Sequence, residues 1–390
     1  MSEAAPIGGY CDPRFEAVRR AFEANVSGGG DIGAGLSVYL HGDPVVDLWG
    51  GWMDRERTRP WERNTLCTVY STTKGLTTIC AHRMVEQGKL DLDAPVAQYW
   101  PEFAQGGKET IPVHMLLSHR GGLHTVDRKL PADAIYDWDA MTTALAETTP
   151  FWAPGTRHGY HGLTFGWLVG EVVRRVSGQS LGTVFREEVA EPLGLDTHIG
   201  TGPEHDERIA TVYEVELTPE MQKLRDERMA SFRDRMDPKM LAAATNITLP
   251  PGGHNSTRWR RSEMPAVNAH TDARSIAKLY GALSLGGAVD GYQVLTPESI
   301  SRATTEQAAG PDAVIIMPTR FALGFWLSRP EAPMGPNPNN FGHPGMGGSV
   351  GFADPERGIG FGYVMNQLKA GLLVGNTGAK LVDALYESLG

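Results

Sequence analysis

Apolar residues recur at helical spacing over 12–25, where Phe15, Val18 and Phe22 share one face behind Asp12-Pro13, and this predicts an amphipathic helix opened by proline. The pattern turns β-like over 34–40 and 45–52. His41-Gly42-Asp43-Pro44 separates the two runs, which predicts a hairpin. Helical spacing resumes over 71–87 and stops at Gly88, then dominates from about 92 to 310. Loops rich in Gly and Pro interrupt it at 118–133 and 150–163, and a helix is expected over 164–176. β character returns over 321–327, 350–353 and 358–366, with Asp354-Pro355-Glu356-Arg357-Gly358 as a turn, and an amphipathic helix over 376–389 closes the chain.

Strands from both chain ends most simply join one antiparallel sheet covered by the terminal helices. The expected fold is therefore α/β of the α+β type. A sheet domain is built from 1–90 and 311–390, and a mainly helical domain, 91–310, is inserted into it. Segment 204–239, dense in charges of both signs, reads as a solvated surface helix or as a mobile wall over a pocket.

Composition narrows the function classes. Of 390 residues, 41% are hydrophobic and 21% charged, which fits a globular chain and excludes wholesale disorder. A net charge of −10 argues against a general nucleic-acid role. No apolar run approaches the roughly 18 residues of a membrane span. The opening Met1-Ser2-Glu3-Ala4-Ala5-Pro6 lacks a basic and an apolar export region, so a cytoplasmic location is expected. Cys11, Cys67 and Cys80 are odd in number and widely spaced, which fits neither a disulfide framework nor a zinc site. Cys80 lies within a helical apolar pattern and reads as a buried, inert thiol.

The first candidate chemistry is Ser71-Thr72-Thr73-Lys74. Three residues along a helix place Ser71 and Lys74 about 60° apart on one face and about 4.5 Å apart along the axis. A serine hydroxyl attacks only when a base removes its proton. Lysine, with an ordinary pKa of about 10.4, serves only if burial or a nearby cation keeps it neutral. The competing reading is a helix-capping serine followed by a surface lysine. Leu76, Ile79, Cys80 and Met84 favour a buried helix, on which Lys74 would be desolvated.

The second candidate is Tyr160, in the loop Thr149–Leu163. An exposed tyrosine there could share a proton with a lysine, or it could simply pack. The flanking His158 and His161 have no acidic partners at metal-binding spacing. The third stretch, Gly347-Gly348-Ser349-Val350-Gly351, matches the G-x-S-x-G nucleophile elbow. That motif needs a histidine downstream, and the last of the 12 histidines is His343. The glycines there read instead as a strand edge where backbone and substrate approach closely.

Taken in order, these stretches resemble the serine β-lactamase and penicillin-binding-protein superfamily. Most similar are the class C β-lactamase-like branch and, within it, the family VIII carboxylesterases. The resemblance extends through Gly88–Pro95, Leu116-Leu117-Ser118-His119-Arg120-Gly121-Gly122-Leu123, Pro154-Gly155-Thr156, Val176–Ser180, Glu191–Leu195 and Gly342-His343-Pro344-Gly345-Met346. It implies a β-lactamase/transpeptidase-like fold, with Ser71 as the acylated nucleophile and Lys74 and Tyr160 as the acid–base pair. It further implies an oxyanion hole of the Ser71 and Met346 N–H groups, and substrate contacts at His343, Gly345, His161 and Trp152.

No metal and no cofactor is implied. The implied partner is a small ester; oligomeric state stays open. Two departures point away from β-lactams. Relatives that process β-lactams usually carry Tyr-x-Asn where this chain has Tyr160-His161-Gly162, and His343-Pro344-Gly345 stands where relatives have Lys-Thr-Gly or His-Thr-Gly, so the third motif lacks its lysine. The expected activity is hydrolysis of short-acyl or aryl esters. A β-lactamase, D-aminopeptidase, amidase or acyltransferase using the same site, or an inert relative, are the alternatives.

Overall fold

The computed structural model of the chain describes residues 5–329, 334–369 and 375–390. Met1–Ala4, part of the opening stretch read above for an export signal, lie outside the described residues. Nine strands make one antiparallel sheet: β1 (Ile7–Cys11), β2 (Gly33–Leu40), β3 (Asp43–Gly51), β4 (Ala308–Pro311), β5 (Pro318–Phe321), β6 (Trp326–Leu327), β7 (Phe341–Pro344), β8 (Val350–Asp354) and β9 (Ile359–Met365). Their spatial order is β1-β3-β2-β9-β8-β7-β6-β5-β4. The chain ends meet at the β2–β9 seam, where Leu36 faces Tyr363 and Val38 faces Phe361.

The pattern misses β1, an edge strand whose five residues include Gly8 and Gly9 and so carry little alternation to read. It also merges β5 and β6, two short strands with a tight turn between them.

The main helices are α1 (Glu16–Ser27), α2 (Thr73–Glu86), α3 (Thr164–Ser177), α4 (Pro219–Arg235), α5 (Ala273–Ser284) and α6 (Gly375–Leu389). α1 packs on α6 and on β2 and β3, while α5 packs on β9, β2 and β8. The α5 contact is close because glycines line it. A Cβ on Gly360 would lie 2.1 Å from Gly281 N, and one on Gly362 would lie 2.3 Å from the Ala273 oxygen. Tyr363, on the other face, donates its hydroxyl to Asp31. The stretch 91–310 thus serves the sheet as well, since it supplies α5 and the first residues of β4.

α2 is buried on nearly every side and packs on α3. A helix without a polar face belongs at the centre of a protein. Its N-terminal end abuts β7, which brings the two candidate motifs together.

Candidate active site

Ser71 sits in a single 3₁₀ turn, Tyr70–Thr72, that runs directly into α2. Val69 N–H bonds to the Ala269 oxygen at 3.0 Å, and Thr72 N–H bonds back to the Val69 oxygen at 3.2 Å. The turn requires Tyr70 to adopt φ 46°, a left-handed conformation that costs a non-glycine residue roughly 1–3 kcal/mol. The Tyr70 ring is fixed between Trp259 and His254, with centroids 6.2 and 6.3 Å away.

One turn on, Lys74 is 0% exposed. Its Nζ lies 3.1 Å from Ser71 Oγ, 2.7 Å from the Gly162 oxygen and 3.0 Å from the Ala266 oxygen. Burial holds its pKa well below the usual lysine value. A neutral amine has two N–H donors and one lone pair. The two carbonyls take the donors, and the lone pair is left for the Ser71 hydroxyl.

The loop that carries Tyr160 is held by its backbone. Tyr160 N–H donates to both Asp312 oxygens, at 3.1 and 2.9 Å. His161 N–H donates to His119 Nδ1 at 3.1 Å, and Gly159 N–H donates to the His119 oxygen at 3.0 Å. Tyr160, read as exposed, is in fact only 6% exposed. Its ring stacks on Phe321 and abuts Trp326, His119 and His343. Lys74 Nζ lies 4.9 Å from the ring centroid, and the phenol is close enough to Ser71 for that side chain to act on its ionisation. Burial pushes the phenol pKa up, so Tyr160 holds its proton at neutral pH.

On the sheet side, the turn after β7 closes with Gly345 N–H on the Ser349 oxygen (2.7 Å) and Gly348 N–H on the Gly345 oxygen (3.1 Å). Neither bond uses the Met346 N–H. His343 is buried. Its Nδ1–H donates to the Pro344 oxygen at 2.7 Å, and its Nε2 has no partner among the described residues. Burial pushes its pKa well down, so His343 is a neutral acceptor and does not replace the missing cation. Tyr70 and Met346 open onto a cavity of about 480 Å³, whose walls include Glu214, Arg225, Leu249 and Leu368. Arg225 belongs to α4, a helix with no buried residue, so the charged segment is both solvated and part of the cavity wall.

The family model for beta-lactamase matches residues 18–383. The chain belongs to the beta-lactamase family. Among curated proteins of known sequence, the Esterase/beta-lactamase LipL of Mycobacterium tuberculosis is 36% identical over 378 residues, covering 94% of this chain and 85% of that protein. A crystal structure of a family VIII carboxylesterase superposes with a TM-score of 0.90 at 39% identity, covering 98% of this chain and 100% of the other. A penicillin-binding protein homologue from Caulobacter crescentus gives 0.87 at 37% identity, with 98% and 100% covered. These relatives support a serine hydrolase in this fold.

Within this beta-lactamase family chain, two of the expected substrate contacts are packed inward and engaged with the protein itself. His161 is buried and both its ring nitrogens serve the backbone: Nδ1–H donates to the Gly159 oxygen at 2.6 Å, and Nε2 accepts Leu123 N–H at 2.9 Å. Trp152 is buried behind it, stacked on His124 and edge-on to His161. Gly345 has a packing task, because a Cβ there would lie 2.3 Å from the Val69 oxygen.

Asp312, His119 and the carbonyls of Gly162 and Ala266 escaped sequence reasoning. His119 did carry a signal in Leu-Leu-Ser-His-Arg-Gly-Gly; a backbone carbonyl carries none. Ser349 is buried and donates to the Val69 oxygen at 2.8 Å, which excludes it as a free nucleophile. Cys67 and Cys80 are buried, and burial pushes the Cys67 thiol up to about 12. Asp196, His198 and His205 lie close enough together to hold a cation, but Arg208 already donates to Asp196 and to His205 there. Among the described residues no helix is long and apolar enough to cross a membrane.

Proposed function

We propose that the chain hydrolyses carboxylic esters of short-acyl or aryl type through an acyl-enzyme on Ser71. The observation that carries this reading is the fully buried Lys74 amine, 3.1 Å from Ser71 Oγ, with two carbonyls absorbing its N–H donors. Ser71 Oγ attacks the ester carbonyl carbon while its proton passes to the Lys74 lone pair. The new ammonium then has three hydrogens for three acceptors. Negative charge on the former carbonyl oxygen is held by the N–H groups of Ser71 and Met346; each such donor is typically worth about 3–4 kcal/mol. Ser71 N–H is free for this because the first N–H groups of a helix have no partner within it.

Tyr160, kept protonated by burial, hands its proton to the departing alcohol and regains one from Lys74. Water then repeats the sequence on the acyl-enzyme and frees the acid. The esterase names of relatives support an ester substrate, as does the bare Gly162, which offers no amide for a lactam or peptide side chain. Turnover of p-nitrophenyl esters, nitrocefin and D-Ala-D-Ala peptides by the wild type and by Ser71→Ala tests the proposal. Ester turnover should dominate and vanish in the variant. Dominant D-peptide or nitrocefin turnover would replace the substrate assignment, and an active Ser71→Ala would remove the nucleophile.

A further inference from the structure

The stretch Gly347-Gly348-Ser349-Val350-Gly351 takes no part in nucleophilic attack, yet Ser349 occupies a distinctive place. Its hydroxyl, 1% exposed with its residue, donates to the Val69 oxygen at 2.8 Å and lies 3.3 Å from Thr72 Oγ1. Val69 and Thr72 bracket the turn that presents Ser71. At the same time the Ser349 carbonyl accepts Gly345 N–H at 2.7 Å and closes the turn that presents Met346. One residue therefore ties together the two segments whose N–H groups must converge on a single oxygen.

The contact is direct. A Cβ on Gly345 would lie 2.1 Å from Ser349 Oγ, 2.3 Å from the Val69 oxygen and 3.0 Å from Thr72 Oγ1, so the glycine is what lets the two turns touch. The Val69 oxygen receives the Ser349 hydroxyl and, at a longer 3.2 Å, Thr72 N–H. Losing the hydroxyl leaves that carbonyl with the longer bond alone, in a buried setting where hydrogen bonds hold geometry tightly.

We infer that Ser349 is a positioning residue that sets the spacing of the oxyanion hole, and this rests on the ester-hydrolase reading above. It never touches substrate. It acts through Val69 and through the Gly345–Ser349 turn. Its effect belongs to the transition state, because the oxyanion needs both donors at hydrogen-bond distance while the bound ester makes weaker use of them.

The test uses the full-length protein and p-nitrophenyl butyrate, with rates normalised to the sites titrated by a fluorophosphonate. Ser349→Ala should lower kcat per titrated site about 10- to 100-fold, the scale of a misplacement near 1 Å. KM should stay within about twofold, and an arylboronic acid, which forms a tetrahedral adduct on serine, should lose affinity by the same factor as kcat. Thr72→Ala, which keeps the Ser349–Val69 bond, should stay within about threefold of wild type. If Ser349→Ala does not fold, Ser349→Cys offers a thiol of similar shape and weak donor strength, and should show the same split at smaller size. Unchanged kcat per site, or a fall in kcat explained wholly by fewer titratable sites, overturns the inference. Ser71→Ala is run alongside. If it is active, the ester-hydrolase reading has failed; if it is dead while Ser349→Ala is fully active, only the positioning role has failed.

Discussion

Lys74 Nζ lies 2.7 Å from the carbonyl oxygen of Gly162, a residue that sits two places after Tyr160. The contact locks the proposed general base to the loop of its proposed acid partner, and burial keeps the amine below its ordinary value of 10.5. A base works only when deprotonated, so kcat/KM should be low in acid and rise with pH through one ionisation placed below the usual lysine range. Lys74→Arg, charged at every accessible pH, should lower kcat/KM about 10²- to 10⁴-fold throughout. A pH–rate profile of both proteins checks this, and an active arginine variant would contradict it.

Tyr160→Phe separates the phenol from the ring. The ring keeps its stack on Phe321 and its edge contact with Trp326, while the hydroxyl proposed to pass its proton to the leaving alcohol is lost. We expect kcat to fall about 10²-fold or more with little change in the thermal unfolding midpoint. Burial raises the phenol pKa, so the wild type should show no alkaline loss of activity from this group below pH 10. A variant that unfolds much earlier would instead make Tyr160 a packing residue.

The sequence made the reactive centre legible to an unequal degree. The closeness of Ser71 and Lys74 was legible because helix geometry alone sets their relation, and Tyr160, which the structure brings beside them, stood out because its motif resembles that of known relatives. The β2–β9 seam followed from β patterns at both chain ends. That His161 and Trp152 turn inward was not legible, because a loop's sequence says nothing about which way its side chains point. Here the backbone N–H of Leu123 and oxygen of Gly159 claimed the imidazole. Asp312 could not be found at all: it lies 152 residues from Tyr160 and binds its backbone, a partner with no identity in sequence. The docking of α5 on glycines 351, 360 and 362 was also hidden, since a glycine in a strand reads as weakness until a helix is seen lying against it.

Stability should fall in mild acid. Burial lowers His82 and His124 to about 4, and His161 and His270 to about 3. In the unfolded chain each titrates near 6.5, so below that pH the unfolded state binds more protons. The stabilisation is complete above about pH 6.5 and is lost as pH falls towards 3–4, by up to about 1.4 kcal/mol per pH unit for each histidine. Urea midpoints at pH 7.5, 6 and 5 should decline steeply. His124→Phe, which keeps a ring beside Trp152, should decline less steeply. Midpoints that hold level from pH 6.5 to 5 would show that these rings titrate normally.

The cavity between Tyr70, Met346 and Leu368 should set acyl-chain preference, because it opens beside the two residues that flank the nucleophile and the oxyanion turn. Its volume, about 480 Å³, holds several methylenes, and Leu249, Pro250 and Pro251 give it an apolar wall. Each methylene moved from water into such a wall is worth about 0.8 kcal/mol, or roughly three- to fourfold in kcat/KM. Along a p-nitrophenyl ester series from acetate to hexanoate, kcat/KM should therefore climb at nearly that rate. Leu249→Trp takes up part of the space from a half-exposed position where a larger ring meets little resistance. It should leave acetate turnover near wild type and flatten or reverse the climb for longer chains. If the variant lowers every ester equally, the cavity lies outside the path of the acyl chain, and preference is set on another wall of the site.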